Sequence, residues 1–243
     1  MFTLLFITIL GLCVGSFLNV AIIRLPKNES INLPASHCCT CNHPLKWYHN
    51  IPLFSWLFLR GKCAFCHAPI SWQYPIIELL SALLYGVAYY KTNDAIDGVI
   101  IGTTFSLLLA LSLVDIRYKA VPDALSLPAL LFSFFRGSML TSFQNALLFM
   151  GAFSLLRFLV SFLTKKEAMG EADIIIAGII GALLGVKLGC AAIYISAVLA
   201  LIVFIILKKR GIELPFIPFL ASGLIIAWFG DTLILNFLET LYE

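Results

Sequence analysis

Two aspartates stand at the edges of apolar runs. Asp115 closes Leu111-Ser112-Leu113-Val114, and Asp173 opens a second run after Gly170-Glu171-Ala172. A carboxylate at the mouth of a membrane span is costly, so it marks function by default and calls for a partner. Two carboxylates about one water apart can share a proton: one activates the water and the other protonates a carbonyl oxygen. That chemistry is peptide-bond hydrolysis at a membrane. Gly170 and Ala172 leave the backbone before Asp173 nearly bare. A second constellation is Cys38-x-x-Cys41 and Cys63-x-x-Cys66, two pairs with 21 residues between them. Each pair can form a tight knuckle, and four thiolates complete a closed tetrahedral zinc site.

Helix polarity suggests unequal roles for the aspartates. Asp115 stands at a helix C-terminus and Asp173 at a helix N-terminus, where the macrodipole favours a carboxylate. On that basis Asp115 holds the shared proton. Asp123 follows Pro122 and reads as an N-cap. Glu78 suits either a pairing with a loop cation or a place in a second substrate site. For the cysteines the competing reading is two disulfides, which a reducing cytoplasmic face disfavours. Cys39 is a spare thiol, and Cys13 and Cys190 read as small buried hydrophobes. His37, His43, His49 and His67 read as loop hydrogen-bonding groups rather than ligands.

The elements that must position these groups are membrane helices. Of 243 residues, 61% are hydrophobic and only 12% charged, about half the charged share of a soluble domain. The mean hydropathy is +1.00. With about 20 residues per span, the apolar runs predict eight, near 2–23, 75–90, 95–114, 121–136, 142–163, 173–187, 189–207 and 214–236. Pro128 is expected to kink the fourth. The first run lacks a basic flank and a small-residue cleavage site, so it reads as a retained span. The loops at 24–74, 115–120, 164–172 and 208–213 carry twelve of the 16 Lys and Arg residues; the opposite loops carry Lys91, Arg136 and Lys187. The positive-inside rule then puts the N-terminus outside and the Cys-rich loop and both aspartates at the cytoplasmic face. The net charge of +3 lies in loops and gives no support for nucleic-acid binding.

The expected fold is therefore an all-α polytopic membrane protein of about eight transmembrane helices, embedded in a lipid bilayer, with a small cytoplasmic zinc-knuckle loop domain. Its divisions are a first helix at 1–23, the Cys-rich loop at 24–74 and a membrane-embedded aspartic peptidase region at 75–243. The loop has few large aliphatics, so a structural metal would supply the stability that burial cannot. No internal repeat is expected.

The residues resemble the type IV prepilin peptidase family, bifunctional leader peptidases and N-methyltransferases of pilus and type II secretion systems. Gly15-Ser16-Phe17-Leu18-Asn19-Val20 with Arg24-Leu25-Pro26 matches its opening motif. Trp47, Asn50-Ile51-Pro52, Ser55-Trp56, Arg60-Gly61-Lys62-Cys63, Ile70-Ser71, Tyr74-Pro75 and Glu78 match its cytoplasmic loop. Asp115 with Val121-Pro122-Asp123 matches the first catalytic block, with the earlier aspartate catalytic. The second block departs from the usual G-x-G-D followed by lysine: here it reads Gly170-Glu171-Ala172-Asp173-Ile174-Ile175. The resemblance implies Asp115 and Asp173 as catalytic residues, with Gly170, Ala172, Pro122 and Asp123 in support, and zinc on Cys38, Cys41, Cys63 and Cys66. It also implies a bacterial inner-membrane location, prepilin or pseudopilin precursors as substrates, and S-adenosylmethionine as methyl donor. No Gly-rich strand-to-helix turn marks a site for that donor. Two rival readings are a transporter or channel that uses the aspartates for ions, and a non-catalytic zinc scaffold of a secretion machine.

Overall fold

Over residues 2–165, 170–207 and 214–242, which the computed structural model describes, the chain forms helices, turns and loops and no strand. The stretch Lys166–Met169 and the loop cations Lys208, Lys209 and Arg210 lie outside the described residues. Nine α-helices follow in order among those described: α1 (Phe2–Arg24), α2 (Phe54–Phe58), α3 (Gln73–Thr92), α4 (Ala95–Tyr118), α5 (Asp123–Ser133), α6 (Met139–Thr164), α7 (Glu171–Leu207), α8 (Ile217–Phe229) and α9 (Asp231–Tyr242). They divide into two compact units, Met1–Ala110 and Leu111–Glu243.

In the first unit, Gly11 and Gly15 lie one turn apart on α1 and let its backbone touch α3. A Cβ at Gly11 would stand 2.8 Å from the Ala82 Cα, and one at Gly15 2.7 Å from the Glu78 Cα. Small residues four apart are the usual means of close helix approach where lipid gives no hydrophobic drive. Hydroxyls then tie α3 to α4: Ser81 to Ser106 at 2.9 Å and Tyr85 to Thr103 at 2.6 Å.

In the second unit the same device recurs on α7. A Cβ at Gly181 would meet the Asn145 carbonyl of α6 at 2.6 Å, and one at Gly189 the Phe149 ring at 2.6 Å. On α8, Gly223 leaves room for Ser196 and Ala192 of α7. The opposite faces are apolar and exposed, including Leu155, Phe158, Leu159 and Phe162 on α6. Exposed apolar surface of this extent marks a membrane or protein interaction face.

Four of these helices are long and apolar enough to cross a membrane, or five if α8 and α9, bent 79° apart, count as one. The expected eight are not reached, for identifiable reasons. The predicted spans 173–187 and 189–207 do appear as two helices, which meet at a kink at Gly185 (φ 70, ψ −171) within the 37 residues of α7. Gly181 before the kink and Gly189 after it both pack on the Phe149 ring of α6. The predicted fourth span shortens to the 11 residues of α5, with Pro128 inside the helix. α3 keeps polar residues facing α1 and falls outside the apolar set. Cys13 and Cys190 are exposed on α1 and α7 rather than buried, because they occupy outward faces.

Candidate active site and metal centre

The four cysteines converge. The sulfurs of Cys38, Cys41, Cys63 and Cys66 all lie within 4.8 Å of one another, and Cys38 and Cys66 are 3.8 Å apart. A tetrahedral zinc with Zn–S bonds of about 2.3 Å needs sulfur–sulfur edges of about 3.8 Å, so the set fits. A disulfide needs about 2.05 Å, and all seven cysteines are free. The amides of Cys41 and then Thr40 hold the Cys38 thiol down at about 6. Against the Ala68 amide, which favours its thiolate, desolvation and the three neighbouring sulfurs push Cys66 up to about 12. Four sulfurs placed in this way could hold a metal ion. Cys39 is exposed outside the cluster. The histidines stay out of it too: His43 and His49 pack on Phe65, and the His37 ring bonds the Ala35 carbonyl.

The expectation of no internal repeat is corrected here. Residues 36–47 and 61–72 are one unit used twice, offset by 25 positions, with Cys-x-x-Cys-x-x-Pro, an aliphatic residue and Trp in register. Asn42 and His67 share a left-handed backbone, φ 54 and 57. Cys38 donates to the His43 carbonyl as Cys63 does to Ala68, at 3.0 and 2.9 Å. Leu45 donates to Ser36 as Ile70 does to Gly61, both at 2.7 Å. The bridges His37–Pro44 and Lys62–Pro69 correspond. The Thr40 and Phe65 amides each donate to the first sulfur of their knuckle at 3.5 Å. In the sequence the only signal of the repeat beyond the cysteines is the shared Pro, aliphatic and Trp spacing.

The aspartates are assembled differently, from three helix ends in the second unit. Asp115, 8% exposed, lies in the last turn of α4 and accepts the Ile217 N–H at 3.2 Å. Ile217 is the first residue of α8. Asp173, also 8% exposed, lies in the first turn of α7 and accepts the Gly170 N–H at 3.1 Å. The charge of Asp115 acts on Asp173. The expected asymmetry of helix polarity fails, because the N-terminus of α8 puts a positive helix end against Asp115 as well. Sequence reasoning missed Ile217. Its only signal was Pro215 and Pro218, which mark a helix start.

Of the supporting residues, Gly170 meets Asp173 directly. Pro122, not Asp123, is the N-cap of α5; Asp123 is exposed at the first helical position with no side-chain cap bond. It was misread because Pro122 itself takes the extended backbone of a cap. A cleft of about 620 Å³ also opens in the first unit, lined by Trp56, Arg60, Gly61, Lys62, Ser71 and Trp72 among others.

A family model described as the Type IV leader peptidase family matches residues 103–205, and one for the Bacterial Peptidase A24 N-terminal domain matches residues 9–92. A "Prepilin leader peptidase/N-methyltransferase" of Stutzerimonas stutzeri is 33% identical, over 95% of this chain and 92% of its own length. The protein of the same name from Xanthomonas campestris is 35% identical over the same shares. The chain belongs to the type IV leader peptidase family. A further protein of that name, from Myxococcus xanthus, is 38% identical over 74% of this chain, which spans 55% of it. No solved structure matches the chain.

Within this leader peptidase family, the departures around Asp173 now have a structural setting. Ala172 lies inside the first turn of α7 and has no positive φ. A glycine's left-handed freedom is not needed there. Ile174 and Ile175 follow Asp173 where the resemblance leads one to expect a nearby lysine. A cation nonetheless reaches this turn, since the Arg157 guanidinium of α6 pairs with Glu171 at 3.2 Å.

Proposed function

We propose that this chain cleaves the leader of type IV prepilin or pseudopilin precursors at the cytoplasmic face of the bacterial inner membrane, and then N-methylates the new N-terminus. The observation that carries the peptidase reading is the pair of buried aspartates, each held by a backbone amide at a helix N-terminus, with the charge of Asp115 acting on Asp173. One carboxylate takes a proton from water while the other donates one to the scissile carbonyl oxygen. The Gly170 and Ile217 amides hold the carboxylates in place through that exchange. The family and the names of its members support the substrate class. An ion-transport role has no use for the four-cysteine centre, and a scaffold has no use for a buried carboxylate pair.

In this reading residues 75–243 form the peptidase region, with Pro122 and Asp123 shaping the turn before α5. Cys38, Cys41, Cys63 and Cys66 hold a structural zinc, which would lock the two knuckles together. The Trp56–Trp72 cleft, with Arg60 and Lys62 at its edge, is the place we assign to S-adenosylmethionine. Its aromatic walls suit an adenine ring and its cations suit a carboxylate. Co-expression of a prepilin with Asp115→Asn or Asp173→Asn, followed on a gel, tests the peptidase. Accumulated precursor at normal enzyme levels is the expected result; processing by both variants would overturn the reading.

A further inference from the structure

Glu78 has no part in the reactions described, yet its carboxylate is only 5% exposed on α3. An ionisable group buried at a helix interface needs a partner and a purpose. Its partner is not a cation. Its Oε2 accepts the backbone N–H of Leu53 at 2.7 Å, and its Cα lies against Gly15 of α1. Leu53 is unusual, with φ 60 and ψ −50, while the next amide, Phe54 N–H, donates to the Pro52 carbonyl at 2.6 Å. This is a tight three-residue turn in a conformation rarely adopted by a branched side chain. Such a backbone persists only where its surroundings hold it, and Glu78 is the group holding its amide.

Leu53 is also the N-cap of α2, which has no side-chain cap. α2 carries Trp56, whose ring lies 4.3 Å from the Trp72 ring and fills the space a Cβ at Gly61 would take, 2.8 Å away. Gly61, at φ 67, in turn accepts the Ile70 amide that closes the second knuckle around Cys63 and Cys66. A continuous set of contacts thus runs from Glu78 through Leu53 and α2 to Trp56 and the metal knuckle. At its other end Glu78 is fixed by the close α1–α3 contact. There Asn19, fully buried, donates to the Gly15 and Tyr74 carbonyls and accepts from Gln73.

We infer that Glu78 is the positioning residue that seats the cysteine loop on the α1–α3 pair and sets the Trp56 wall of the cleft. It acts through α2 and does not touch substrate. The functional part of this inference rests on the assignment of that cleft to the methyl donor.

The test uses the full-length enzyme in lipid nanodiscs with four readouts: amide hydrogen exchange over residues 53–62, zinc content, leader cleavage, and methyl transfer to a cleaved prepilin. The variants are Glu78→Met, which keeps side-chain length and suits an apolar interface, Glu78→Gln, which can still accept the amide, and Trp56→Ala. Removing a charged acceptor should speed exchange of these amides by at least about tenfold in Glu78→Met. The KM for S-adenosylmethionine should rise by about the same factor, with cleavage changed by less than about twofold. Glu78→Gln should restore both to within about threefold of the parent. Unchanged exchange in Glu78→Met would overturn the positioning role. So would a Glu78→Gln enzyme with parental exchange and lost methyl transfer, since the charge would then act directly. Trp56→Ala separates the two readings. If it leaves methyl transfer intact while Glu78→Met still frees the amides, the cleft assignment falls and the seat stands.

Discussion

The two chemical centres of this chain are built on opposite plans. The metal centre is local: one short unit is used twice, and each copy delivers two sulfurs through the same turn, the same left-handed residue and the same pair of backbone bonds. The aspartate centre is dispersed, drawing Asp115, Gly170, Asp173 and the Ile217 amide from three helix ends up to 102 residues apart in sequence. A local centre can be rebuilt wherever its loop folds. A dispersed one exists only while its helices are packed. The first should therefore be vulnerable at its ligands and at little else, the second also at remote packing positions.

Asp115→Asn and Asp173→Asn should give the largest effects. Each removes an acid–base partner, and cleavage should fall by at least about 10²-fold in a gel-based processing assay. Methylation of a substrate already cleaved should persist. Loss of both activities together would erase the distinction between the two centres. Next, Cys63→Ser, or treatment with a strong chelator, should bring zinc content well below one per chain and abolish methyl transfer, while cleavage declines far less. Metal analysis beside the same assays decides this.

A packing change separates the centres from the other side. In Gly223→Leu the new Cβ would overlap the Ser196 hydroxyl and the Ala192 carbonyl of α7. Overpacking of this kind costs about 1–3 kcal/mol, read as a lower melting temperature. It should displace the start of α8 and slow cleavage with zinc content unchanged. The smallest effect should come from Arg157→Ala. The Glu171 side chain is 84% exposed, and exposed pairs contribute about 0–1 kcal/mol. Cleavage within about threefold of the parent is expected; a loss as large as that of Asp173→Asn would show that the dispersed site extends to α6.

The same contrast explains what the sequence made legible. The cysteine set was readable because its geometry is written in short spacings, and Asp115 and Asp173 because charge is conspicuous beside apolar runs. The asymmetry assigned to those aspartates failed because Ile217 contributes a backbone group, and no side chain announces a backbone amide. The break between the spans predicted at 173–187 and 189–207 falls close to the kink at Gly185, because hydropathy drops at the Gly185-Val186-Lys187 junction. The fourth predicted span failed instead, shortened to the 11 residues of α5 with Pro128 inside it. The 25-residue repeat was present in the letters but hidden, since Cys39-Thr40 and Ala64-Phe65 share nothing beyond their place between ligands.

The interruption at Gly185 has a mechanical consequence. Its φ and ψ fall in a region essentially reserved for glycine, and the Arg136 guanidinium donates to the Leu183 carbonyl just before it. The portion of α7 that carries Asp173 thus ends at Gly185, and the helix that follows is packed through Gly189 on Phe149 of α6 and through Ala192 and Ser196 on Gly223 of α8. The break lets one continuous chain present two separate helices to the α6 and α8 faces. Gly185→Ala should strain that junction, lower the melting temperature and slow cleavage, since the helix that carries Asp173 ends there.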